Sequence, residues 1–147
     1  MKQTLHSTFE TGRRLRAAVQ LDLVVPFTTP RLTEAALHAA SRLSAGLESA
    51  IRVVRIQIVP FPLDLNQPPV PVEFLEEQLH SLCGEVATEI CFARDFEQGL
   101  RRVLRYRSMV VLASKQRPWR SRTQKLAESL KKSGYTVVMV KEEIENA

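Results

Sequence analysis

Five short apolar runs, each parted from the next by one segment of helical spacing, leave a chain of 147 residues few ways to bury itself. The runs are Val19 to Phe27, Ile51 to Val59, Glu85 to Ala93, Ser108 to Ala113 and Tyr135 to Val140. In the first, Leu21, Leu23, Val24 and Val25 are nearly continuous, and in the fourth so are Met109, Val110, Val111 and Leu112. Continuity of this kind marks a strand covered on both faces rather than one with a wet side. Strands that alternate with single helices need right-handed crossovers, so the fold class expected is α/β, a doubly wound, Rossmann-like parallel sheet with helices on both faces.

The intervening segments carry their own start and stop signals. Thr29 caps a first helix and Pro30 suits its first turn, while Leu32, Ala36, Ala39, Ala40, Leu43 and Leu47 recur at three and four to form one stripe that Gly46 ends. Pro60, Pro62, Pro68, Pro69 and Pro71 forbid regular structure until Val72, after which Leu75, Leu79, Leu82 and Cys83 regain helical spacing and Gly84 closes the helix. Asp95 with Gln98 forms a capping box before Phe96, Leu100, Val103 and Leu104, with Gly99 weakening that helix by roughly 1 kcal/mol relative to alanine. Ser121 with Gln124 opens the last helix, which runs through Leu126, Ala127 and Leu130 to Gly134.

Charge and rare residues narrow the function classes. The formal charge is +5, yet residues 94 to 132 alone hold twelve Lys/Arg against Asp95, Glu97 and Glu128. Such a segment is either a set of solvated helix faces or a surface for phosphates, nucleic acid or an acidic protein. Cys83 and Cys91 form no CxxC pair, and with His6, His38 and His80 on separate segments no zinc set of ordinary spacing can be written, so no metal is expected and both cysteines read as small core residues. No apolar run approaches a membrane span and the first twenty residues alternate charge and polarity, so we expect a cytoplasmic chain with one core. Residues 1 to 18 read as an N-terminal arm, 19 to 141 as the domain, and 142 to 147 as an acidic tail.

Catalytic motifs are missing from the sequence. It has no Gly-x-Ser-x-Gly elbow, no Walker loop and no G-x-G-x-x-G string. The adjacent carboxylates Glu76-Glu77 and Glu142-Glu143 point apart rather than converge on a substrate. No catalytic residue is therefore assigned.

Two stretches carry a family resemblance. LDLVVPFTTPRLTEAALHAASRLSAGLESAIRVVRIQIVPFP resembles the opening of universal stress proteins, with an apolar strand ending in Val-Pro, an alanine-rich helix and a second strand ending in Val-Pro. FARDFEQGLRRVLRYRSMVVLAS is similar to that family's third strand, short helix and fourth strand, and YTVVMV stands where its last strand stands. The resemblance implies the adenine nucleotide alpha hydrolase-like arrangement of the sheet, order 3-2-1-4-5. It also implies a homodimer that pairs the last strands of two subunits through Thr136, Val137, Val138, Met139 and Val140, an apolar edge without proline or internal charge.

ATP-binding members of that family carry a glycine motif after the fourth strand, because backbone amides must come close to the phosphates. Here Ala113 to Leu126 contains no glycine, Pro118 removes an amide donor, and the family's acidic position after the first strand is Thr28. We therefore expect no cofactor, with ATP disfavoured, and a regulatory or interaction module rather than an enzyme. The alternative is a nucleotide-binding member that holds phosphates through arginines. The residues available for a simple anion or a nucleotide are Thr28, Lys115, Arg117, Trp119, Arg120, Ser121 and Arg122, with Trp119 able to stack on a base between Arg117 and Arg120.

Overall fold

The computed structural model describes residues 21–46, 48–115 and 122–142, and the elements follow the expected alternation. Strand β1 (Leu21–Pro26) leads to α1 (Pro30–Ser44), β2 (Ser49–Ile58), α2 (Val72–Cys83), β3 (Ala87–Ala93), α3 (Phe96–Val103), β4 (Ser108–Lys115), α4 (Arg122–Lys132) and β5 (Thr136–Glu142). All pairings are parallel, in the order β3-β2-β1-β4-β5. The fold is thus the doubly wound α/β sheet that the spacing predicts, with β1 and β4 side by side at its centre.

Period-two alternation in each strand divides the apolar residues between two faces. Leu23, Val25, Val53, Val111 and Ala113 point to one side and pack with Leu32, Ala36, Ala39 and Ala40 of α1 and Leu79 and Cys83 of α2. Val24, Val54, Ile56, Val110, Leu112 and Val137 point to the other, against Leu100 of α3 and Ala127 and Leu130 of α4. Hence the expected single core is two clusters, one on each face of the sheet. Each large side chain taken fully out of water contributes about 1.5 to 3 kcal/mol.

The caps form where the side chains allow. Thr29 Oγ1 accepts the Leu32 amide at 3.3 Å and Asp95 accepts the Gln98 amide at 3.1 Å. The Ser121 cap and Leu47 lie outside the described residues. Leu43, expected on the buried stripe of α1, is 38% exposed and belongs to neither cluster, because it falls in the last turn, where the helix leaves the sheet. Strand β5 runs through Glu142, read from sequence as the start of the tail, and its carboxylate pairs with Arg31 at the start of α1.

Gly99 has a different role from the one its helical position suggests. A Cβ there would stand 2.6 Å from Ile56 Cγ2 and 2.8 Å from the Ala93 Cβ. Glycine is what lets α3 lie directly on β2 and β3.

A buried ion network ties the amino ends of four strands together. Arg52 on β2 donates Nε and Nη2 to the two Asp22 oxygens at 3.0 and 2.9 Å, Nη1 to Glu89 Oε2 at 2.6 Å and Nη2 also to the Val103 carbonyl at 2.6 Å. Ser108 Oγ at the start of β4 donates to Asp22 Oδ2 at 2.6 Å. Burial pushes the Asp22 carboxyl up, but hydrogen bonds from Arg52 and Ser108 and the charges of Arg52 and Arg105 outweigh it, so its pKa lies below the ordinary range. This network occupies the edge of the sheet opposite the one where doubly wound folds bind ligands, so we read it as a structural clasp.

Candidate functional site at the carboxyl edge

In an open parallel sheet the crevice for ligands lies beyond the carboxyl ends of the strands, where neighbouring connections leave in opposite directions. Here that point falls between β1 and β4, since α1 goes to one face and α4 to the other. A crevice of about 790 Å³ opens beside that point, on the side of α3 and α4, walled by Phe27 and Thr28 after β1, Ile56 to Ile58 at the end of β2, Asp95 and Phe96 at the start of α3, and Arg122, Thr123 and Lys125 on α4. Its volume lies within the range of small-ligand pockets.

Sequence-predicted residues meet here only in part. Thr28 and Arg122 line the same crevice. Lys115 is exposed at the end of β4 and is not among the lining residues. Arg117, Trp119, Arg120 and Ser121 lie outside the described residues. Thr136 to Val140 form the outer strand of the sheet, with Thr136 exposed, Val137 buried and the other three between.

Several polar groups in the crevice already have partners within the chain. The Thr28 amide donates to Oγ1 of the fully buried Thr33 at 3.1 Å, which fixes the turn after β1. Asp95 is spent on its cap. Arg55 stands over the Phe27 ring with its guanidinium carbon 4.7 Å from the centroid, and also donates to Gln78 at 3.2 Å. Arg55 and Lys125 were not among the residues singled out from sequence; the signal available for Arg55 was its place near the carboxyl end of a strand. With Glu97 and Asp95 opposing Arg55, Arg122 and Lys125, the lining carries a small positive excess. Among the described residues no histidine or cysteine lines it.

The basic segment is partly structural. Arg94 donates to the Val59 and Leu63 carbonyls at 3.1 and 2.5 Å and holds the proline-rich loop, while Arg101 donates to Ser133 Oγ at 2.7 Å and Ser129 Oγ at 3.2 Å and joins α3 to α4. Both thiols are pushed up, chiefly by burial: Cys83 with help from Glu34, and Cys91 with Glu89 adding to and Arg102 opposing the shift. Among the described residues no helix is long and apolar enough to cross a membrane, and no group of three His, Cys, Asp or Glu could hold a metal.

The architecture defines a doubly wound α/β domain with an open crevice beside its switch point. It is similar to the crystal structure of a protein from the universal stress protein family of Burkholderia pseudomallei, with a TM-score of 0.51 and 16% sequence identity, over 83% of this chain and 96% of that one. At that identity the similarity establishes the fold. No family model and no curated protein matches the sequence.

Proposed function

We propose that this chain is a universal stress protein-like regulatory or interaction module, without enzymatic activity, that does not take ATP through a glycine loop. The observation that carries the reading is the make-up of the crevice: among the described residues its cations are the side chains of Arg55, Arg122 and Lys125, and the sequence that follows β4 has no glycine between Ala113 and Leu126. Side chains of this kind must be ordered by the ligand, at a cost that a preformed nest of amides avoids. They suit a simple anion held weakly. The Thr28 amide, committed to Thr33 Oγ1, is one further group withdrawn from nucleotide recognition. Mass spectrometry of small molecules released from gently purified protein is expected to find no stoichiometric nucleotide; a nucleotide at one equivalent would replace this reading with the arginine-dependent nucleotide binder.

The same proposal includes a homodimer across β5. That strand is the outer edge next to β4, and Val138, Met139 and Val140 are only partly covered within one subunit. An edge that is uncharged from Thr136 to Val140, with Lys141 and Glu142 only at its end, invites strand pairing, and a two-fold axis satisfies both copies at once. Sedimentation velocity at tens of micromolar is expected to show a dimer, and Val138→Lys a monomer that keeps the wild-type circular dichroism spectrum. A wild-type monomer at that concentration contradicts this assembly.

A further inference from the structure

The turn between α3 and β4 presents an aromatic ring entirely to solvent. Tyr106 is 97% exposed, although aromatic side chains ordinarily bury much of their area. It stands between Arg105 and Arg107, both exposed, with exposed Arg102 one turn back on α3. The bonds from Arg101 to Ser129 and Ser133 bring the end of α4 alongside, and with it exposed Lys131 and Lys132. None of these five cations makes an ion pair among the described residues. Two acids at the same edge, Asp22 and Glu89, are held by Arg52, while Glu128 stands one turn before Lys131 and Lys132 on α4.

This turn is also rigidly built. Ser108 Oγ accepts the Arg105 amide at 2.7 Å, the Ser108 amide returns to the Arg105 carbonyl at 3.1 Å, and Arg52 grips the Val103 carbonyl at 2.6 Å. The buried clasp therefore fixes the backbone that carries the exposed ring, so a ligand that uses it orders side chains only.

We propose that Arg102, Arg105, Tyr106, Arg107, Lys131 and Lys132 form a binding surface for single-stranded nucleic acid at the amino edge of the sheet, with Tyr106 stacking on a base and the cations following the phosphates. An exposed ring flanked by guanidinium groups matches the alternation of base and phosphate along a single strand. An acidic protein is the other class of ligand that suits such a patch, since tyrosine and arginine are enriched at protein interfaces, and it is an outcome of the test below. The surface lies at the opposite end of the strands from the crevice, and the inference does not depend on whether that crevice takes a nucleotide.

Fluorescence anisotropy of a labelled 12-mer oligouridylate with the full chain, titrated between 50 and 200 mM salt, tests the proposal. Saturable binding is expected, with a log-log salt slope of roughly −3 for four or five phosphates neutralised. Tyr106→Ala should weaken binding about tenfold at unchanged slope, and Arg105→Ala should flatten the slope by about 0.7. Because Tyr106 is wholly exposed, its variant should keep the wild-type circular dichroism spectrum and melting temperature. Absence of saturable binding overturns the proposal. So does equal affinity for wild type and Tyr106→Ala, equal binding of a polyglutamate of matched charge, or a loss on Arg122→Ala in place of Tyr106→Ala, which would move the strand to the carboxyl edge.

Discussion

Arg52→Ala is expected to cost about 3 to 5 kcal/mol of folding stability, a large share of the roughly 5 to 15 kcal/mol that holds a domain folded. The loss has two parts. Four hydrogen bonds from one guanidinium disappear, and Asp22, only 14% exposed at its side chain, is left as a buried carboxylate with Ser108 as its remaining close partner. Glu89→Gln should cost less than about 1 kcal/mol, since the Glu89 side chain is 44% exposed and water screens its pairing with Arg52. Urea unfolding of the two variants separates these terms, and an Arg52→Ala midpoint close to that of Glu89→Gln would contradict the clasp. Acid adds an independent check. Because the folded-state pKa of Asp22 is depressed, its contribution is complete above the unfolded value of about 3.9 and is lost as the pH falls from there through the lower folded value. Asp22→Asn should therefore be less stable than wild type at neutral pH and lose less of its remaining stability below pH 4.

Gly99→Ala is expected to destabilise the protein by up to about 2 kcal/mol, although the same change in an exposed helix would gain about 1 kcal/mol. The contacts decide the sign. Ile56 Cγ2 is a methyl fixed to the branched Cβ and the Ala93 Cβ is bonded directly to the backbone, so neither is a flexible end that can move aside, and α3 must lift from β2 and β3 to admit a methyl group. Overpacking of this kind costs about 1 to 3 kcal/mol, against the smaller gain in helix propensity. A lowered urea midpoint is the predicted result; a raised one would mean that α3 can shift freely on the sheet.

These two residues also show what could be read from the chain and what could not. Element type and crossover sense follow from local pattern and the rules of parallel sheets, whereas the strand order came from the family resemblance; Thr28 and Arg122, singled out on that resemblance, line the same crevice at the carboxyl edge. Arg52 was hidden among the β-branched residues of β2, because its partners stand 30 and 37 residues away and nothing in the spacing links them. Gly99 looked like a local weakness for the same reason: the atoms that exclude a side chain belong to β2 and β3. Leu43 obeyed the helical period and still faces water, since a stripe specifies a face but not how far the sheet extends beneath it. Tyr106 carried no sequence signal, because exposure of an aromatic ring depends on where the turn points.

The carboxyl-edge crevice draws its cations, among the described residues, from side chains, and the sequence that follows β4 has no glycine between Ala113 and Leu126. Isothermal titration calorimetry with ATP and magnesium measures the difference. A preformed phosphate nest would give micromolar affinity, about 8 kcal/mol of binding free energy; mobile arginines and lysines should give millimolar affinity, about 4 kcal/mol, and no stoichiometric isotherm at tens of micromolar protein. A micromolar isotherm with one site per chain, abolished by Arg122→Ala, would contradict the account and make the chain a nucleotide-binding protein that uses arginine where glycine was expected.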